Sequence, residues 1–128
     1  MSVIQVTGLP GSGKSEAVRK VINNQDVRRV GKIDIADFEG DEREAQYIKA
    51  IKEASHIILA ESACGVTISG TVVVQLNVPL SLVYERTLQR DGVLDEDYYS
   101  LLETQMVPPD YIVYDDSVLS EFLLSLIT

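Results

Sequence analysis

Apolar positions along this chain switch between two periods in a regular order. Residues 2–7, SVIQVT, make a short β-rich run that ends on a glycine-rich turn, and residues 15–22 then follow helical spacing. The order repeats. RRVGKIDIA, residues 28–36, predicts a second strand, and residues 41–55 predict a helix with Ala45, Ile48 and Ile51 on one face. HIILAE (56–61) predicts a third strand and TVVVQLNV (71–78) a fourth. The following helix has Pro79 in its first turn and Gly92 just past its end, the usual asymmetry of helix termini. LDEDYYSLLETQM (94–106) predicts a short acidic helix and DYIVYD (110–115) a fifth strand. The last helix carries Val118, Leu119, Phe122, Leu123 and Leu126 on one stripe. Strands alternating with amphipathic helices build a parallel sheet covered on both faces through right-handed crossovers. The expectation is an α/β three-layer sandwich around a five-stranded parallel sheet.

Composition narrows the function classes. At 128 residues, 45% hydrophobic and 24% charged, the chain matches one globular domain with one core. Its formal charge of −9 repels DNA, RNA and anionic lipid on average, so nucleic acid and membrane are not expected partners; small anionic ligands need only a local basic pocket. Cys64 stands alone, reads as a small buried hydrophobe and fits a reducing compartment. No apolar run reaches the length of a membrane span and no cleavable leader pattern is present, so a cytoplasmic protein is expected.

The chemistry starts at GLPGSGKS, Gly8 to Ser15, which satisfies G-x-x-x-x-G-K-[ST] between an apolar strand and a helix. This is the phosphate loop, or P-loop, of a nucleotide-binding fold. Backbone N–H groups from Gly11 through Ser12, Gly13, Lys14 and Ser15 to Glu16 line one concavity, and the helix end adds positive potential for the phosphates of ATP. Lys14 would bridge β- and γ-phosphate oxygens. The Ser15 hydroxyl would ligate Mg²⁺. The motif alone specifies nucleotide binding, not a reaction.

VPLSLVYERTLQRDG, residues 78–92, adds the next constraint. Arg86 and Arg90 are four apart on a helix and share a face, where like charges repel unless something anionic compensates. Neighbouring carboxylates are one such partner; a transferring phosphoryl group, whose charge spreads over three equatorial oxygens, is another. This segment resembles the strand-four exit and lid-entry helix of dephospho-CoA kinases, relatives of the nucleoside monophosphate kinases, which read V-P-x-x-x-x-x-E-R-x-x-x-R-D-G or near it. Gln105 is similar to a glutamine after that family's lid, and DIAD, Asp34 to Asp37, is similar to its acidic turn after strand two. DYIVYDDSVLSEFLLSL is similar to its closing segment. The resemblance implies a P-loop, nucleoside-kinase-like fold with a lid-like segment at about 86–107, and transfer of the γ-phosphoryl group of Mg·ATP to a nucleotide-like acceptor. In that family an aspartate after strand two orients or deprotonates the acceptor, which here selects Asp34 or Asp37, with Asp34 nearer the strand end. Glu61, in AES after strand three, is the matching candidate for organising Mg²⁺. Members of the family also carry a helical insertion between strands two and three that this chain lacks room for, which implies a smaller acceptor, or a protein partner or second copy completing its site.

Other patterns compete. DFEG, Asp37 to Gly40, satisfies the D-x-x-G of a nucleotide-dependent switch, although no N-K-x-D motif accompanies it. A switch ATPase, or a binding protein that has lost phosphotransfer, is therefore the alternative to a kinase. Arg43 is placed to reach an acceptor phosphate but reads first as an exposed helix residue. His56 reads as structural. Tyr98, Tyr99, Tyr111 and Tyr114 read as core aromatics with base stacking as the other possibility. Asp115, Asp116 and Ser117 read as the cap of the last helix.

Overall fold

A computed structural model describes residues 3–24 and 30–127. Five strands, β1 (Val3–Thr7), β2 (Val30–Asp34), β3 (Ile57–Ser62), β4 (Val72–Leu76) and β5 (Tyr111–Val113), form one sheet in the order β2-β3-β1-β4-β5. All four pairings are parallel. β1 lies in the middle, and its five residues are all buried because strands flank it on both edges and chain covers both faces. The register sets Thr7 beside Ser62 and Gln75, and Asp34 beside Glu61. The carboxyl ends of β1, β2 and β3 therefore finish level, and that edge is where ligands of open α/β sheets bind.

The helices are α1 (Lys14–Ile22), α2 (Arg43–Lys52), α3 (Leu80–Asp91), α4 (Glu96–Gln105) and α5 (Leu119–Ile127). Alternate residues of each strand face opposite sides. Ile4 and Val6 of β1 join Val18 and Val21 of α1 and Leu119 and Leu123 of α5 in the main core. Val3 joins Ile58 and Ala60 of β3 and Tyr47 and Ile51 of α2 in a second, smaller core on the other face. That face has no helix between β3 and β4. Residues 63–71 cover it as a loop pinned by buried Gln5, whose amide donates to Val66 O (2.8 Å) and Thr71 Oγ1 (2.9 Å) and accepts from Val66 N–H (2.9 Å).

Several element details differ from the sequence expectation. Ala45 is exposed; α2 begins only at Arg43, and its inward face is Tyr47 and Ile51 with Ile48 half-buried. Val118 is also exposed, because it lies in a 3-10 turn, Asp116–Val118, ahead of α5. Asp115 caps that turn, its carboxylate accepting from Ser117 N–H at 2.9 Å. Of the four tyrosines read as core, only Tyr99 is buried; Tyr98, Tyr111 and Tyr114 face outward. Arg28 and Arg29 of the second-strand expectation lie outside the described residues. Cys64 is half-buried against the main core, its thiol donating to Leu102 O at 3.3 Å. Among the described residues, no helix is long and apolar enough to cross a membrane.

Candidate functional site

The turn after β1 follows a path that side chains would block. Gly8 adopts φ 149, and a Cβ there would stand 2.7 Å from Leu76 O; Gly13 adopts φ 107, and a Cβ there would stand 2.9 Å from the Asp116 carboxylate. Both positions need glycine. Gly13 also caps α1 without supplying a side-chain acceptor, so the first-turn N–H groups, including those of Ser15 and Glu16, remain for an anionic ligand. The Lys14 ammonium folds back across the loop and donates to Gly8 O at 2.6 Å and Leu9 O at 3.2 Å. Burial lowers its pKa to about 8, and the carboxylates of Glu61 and Asp34 work against that shift.

At the next residue, exposed Ser15, the hydroxyl donates to Glu61 Oε1 at 2.9 Å. Glu61 is almost fully buried at the end of β3, and burial raises its pKa while the Ser15 hydroxyl lowers it. These two hard oxygens fit Mg²⁺, which keeps most of its shell for water and phosphate and needs one or two protein ligands. No cluster of three or more acidic, His or Cys ligands exists among the described residues, so a closed all-protein metal cage is absent there.

The other wall comes from β2. Asp34 lines the cleft, and its Oδ1 accepts from Ala36 N–H at 2.9 Å, which starts a 3-10 turn, Ile35–Asp37. Asp37 ends that turn exposed and is not part of the cleft wall; Gly40 of the D-x-x-G is likewise exposed and outside it. Arg43 does reach the cleft. Its Nε donates to Ile35 O at 2.9 Å, which leaves the rest of the guanidinium free to face the opening.

On the α3 side the two arginines have different surroundings. Arg86 Nη1 donates to Ser12 O at 3.1 Å and Gly11 O at 3.4 Å, while Nη2 pairs with Asp116 Oδ2 at 3.2 Å. It ties the phosphate loop to the turn before α5. Arg90 pairs with exposed Asp91, Nε to Oδ1 at 2.9 Å and Nη2 to Oδ2 at 3.0 Å, and still borders the cleft. Gln105, at the end of α4, is exposed and outside the wall.

Together these residues enclose a cleft of about 820 Å³, large enough for a nucleotide and a second small molecule. Five of the chain's eleven basic residues line it: Lys14, Arg19, Arg43, Arg86 and Arg90. Four carboxylates, Glu16, Asp34, Glu61 and Asp116, line it too, so within a chain of net charge −9 the cleft carries a small positive excess. Sequence reasoning missed Arg19 and Asp116. The signal for Asp116 was its place just after β5, at the same sheet edge as Asp34 and Glu61; for Arg19 it was a position one helical turn beyond Ser15.

No family model and no curated protein matches the chain. Solved structures do. The chain is similar to a shikimate kinase from Bacteroides thetaiotaomicron, with 16% identity, a TM-score of 0.69 and coverage of 98% of this chain and 97% of that one. It is similar to a sugar kinase from a Janibacter species, at 14% identity, TM-score 0.69 and coverage of 98% and 93%. A gluconokinase from Sinorhizobium meliloti matches at 19% identity, TM-score 0.62 and coverage of 98% and 89%. At these identities the shared property is the fold, and it is the α/β fold of the small-molecule P-loop kinases.

Proposed function

We propose that the chain is an ATP-dependent phosphotransferase that moves the γ-phosphoryl group to an oxygen of a small nucleotide-like acceptor, of the dephospho-CoA or (deoxy)nucleoside monophosphate class. One observation carries the reading: Lys14, the Ser15–Glu61 pair and Asp34 converge from the ends of three adjacent strands into one cleft that four arginines also line. The loop N–H groups hold the polyphosphate, and Lys14 neutralises charge between the β- and γ-phosphates. The Ser15 hydroxyl would hold Mg²⁺ with Glu61 organising its shell, and the ion would supply further charge neutralisation. The acceptor oxygen attacks the γ-phosphorus, the bond to the β–γ bridging oxygen breaks and ADP departs. A hydroxyl acceptor gives up its proton to Asp34, the carboxylate on that wall. Arg90 exchanges Asp91 for the transferring group's oxygens, and Arg43 and Arg19 offer charge to an anionic acceptor. Catalysis in this arrangement is positioning and electrostatics.

The test is incubation with Mg·[γ-³²P]ATP and an acceptor panel of dephospho-CoA and the ribo- and deoxynucleoside monophosphates. Shikimate, gluconate and simple sugars belong in it, since kinases named for them share the fold. Labelled product supports the proposal. Phosphate release alone, stimulated by a partner, supports a switch ATPase; tight nucleotide binding without turnover supports a chain that has lost transfer.

A further inference from the structure

Tyr98 is the one aromatic side chain in the cleft wall among the described residues, and the phosphate chemistry above makes no use of it. It lies near the start of α4, where Asp95 Oδ1 accepts its backbone N–H at 3.1 Å. Its ring is 49% exposed and meets the buried Tyr99 edge to face at 6.1 Å. Tyr99 in turn shares a 2.9 Å hydrogen bond with Thr87 of α3, so the backbone beneath Tyr98 is held while the ring stays free.

The position of α4 indicates which molecule the ring meets. Cys64, two residues past the end of β3, donates to Leu102 O at 3.3 Å and accepts from Val107 N–H at 2.8 Å. At the other end of the helix Tyr99, next to Tyr98, bonds Thr87 and Arg90 of α3. Tyr98 therefore stands at the α3–α4 corner of the cleft, on the side of Arg90, the arginine assigned above to the transferring group, and Ile35, Ala36 and Asp34 line the same cleft. An exposed ring with apolar Ile35 and Ala36 in the same wall offers little to a polyol or small hydroxy acid. It offers a stacking surface to a planar, unsaturated ring.

We infer that Tyr98 is a specificity-determining residue that stacks on the base of the acceptor nucleotide, an inference that rests on the nucleotide-like acceptor proposed above. Arg43 or Arg19 then holds the acceptor's anionic group, and the base packs against α4.

Equilibrium titration tests this without requiring turnover. Protein saturated with a non-hydrolysable ATP analogue is titrated with AMP, GMP, CMP, dTMP and the base-less ribose 5-phosphate. The wild-type chain is expected to bind its best nucleotide about tenfold or more tightly than ribose 5-phosphate, the range of base–aromatic stacking. Tyr98→Ala collapses that ratio toward one, Tyr98→Phe keeps it, and affinity for the ATP analogue is unchanged in both. An absent base preference in the wild type, a ratio that survives Tyr98→Ala, or an equal loss of ATP-analogue affinity would each overturn the inference. Labelled-ATP turnover on the same proteins reads the kinase proposal separately: base preference lost with Tyr98→Ala but no transfer to any acceptor would sink the kinase and keep the stacking role.

Discussion

The Lys14 ammonium lies in surroundings that lower its pKa to about 8, with burial the main cause, so its ionisation differs between folded and unfolded chain. Between pH 8 and 10.5 the unfolded chain binds the extra proton, and stability therefore rises with pH through that window. In nucleotide-free, metal-free buffer, Lys14 adds a positive slope of up to ~1.4 kcal/mol per pH unit, and Lys14→Met removes it. Urea denaturation of both proteins at pH 7.5, 9 and 10 measures the difference. A parallel pair of pH profiles would contradict it. The two arginines of α3 separate in the same residue-by-residue way. Arg86→Ala breaks bonds to two loop carbonyls and to half-buried Asp116, so it should cost ~1–3 kcal/mol of stability and weaken ATP binding. Arg90→Ala removes an exposed pair to Asp91 and a contact with the Tyr99 hydroxyl, so it should cost less stability than Arg86→Ala, while lowering kcat at least tenfold. The spacing of 86 and 90 was legible from the sequence as one shared helix face. Their different partners were not, because Asp116 is 30 residues away and reads locally as a cap.

At the scale of elements, the alternation of β-rich and amphipathic runs was enough to locate every strand and helix, with ends displaced by a few residues. Strand order was not readable, since all-buried strands such as VIQVT and IILAES carry no mark of their neighbours. Nor was the bare crossover between β3 and β4. Gln5, a polar residue in an otherwise apolar central strand, was its only local sign, and its partners Val66 and Thr71 lie more than 60 residues on. This side chain satisfies both backbone groups of Val66 in the buried interior. Gln5→Leu keeps the size and removes all three bonds, leaving a buried N–H and C=O unpaired at about 1–3 kcal/mol each. The expected loss is ~2–4 kcal/mol by urea denaturation. Hydrogen exchange should locate it, with protection falling at residues 63–71 before it falls in β1. Uniform loss across the sheet would mean that Gln5 supports the strand rather than the loop.

At the scale of the whole molecule, the segment at about 86–107 that resembles a lid is helical and packed in this structure. The end of α3, residues 92–95 and α4 fill it; Tyr99 is buried, and Tyr99 bonds Thr87 while Leu102 bonds Cys64. In this structure a four-residue turn joins the two packed helices, and Arg90 and Tyr98, one from each, border the 820 Å³ cleft. Kinases that close a loop over their substrates exclude water from the transferring phosphoryl group and commit it to the acceptor. For the proposed reaction in this arrangement, water exclusion falls to the acceptor, which would sit between α4 and the Asp34 wall. Two consequences follow for a phosphotransferase of this shape. Without acceptor, the chain should hydrolyse ATP slowly, in a reaction that needs Lys14 and Mg²⁺. Adding a true acceptor should lower phosphate release as transfer rises, because the same molecule supplies the nucleophile and displaces the competing water. Simultaneous measurement of inorganic phosphate and phosphorylated acceptor across an acceptor titration reads both. Phosphate release that stays constant as transfer saturates would show that water reaches the γ-phosphorus by a route the acceptor does not block, and the cleft would then require a closing element from another molecule.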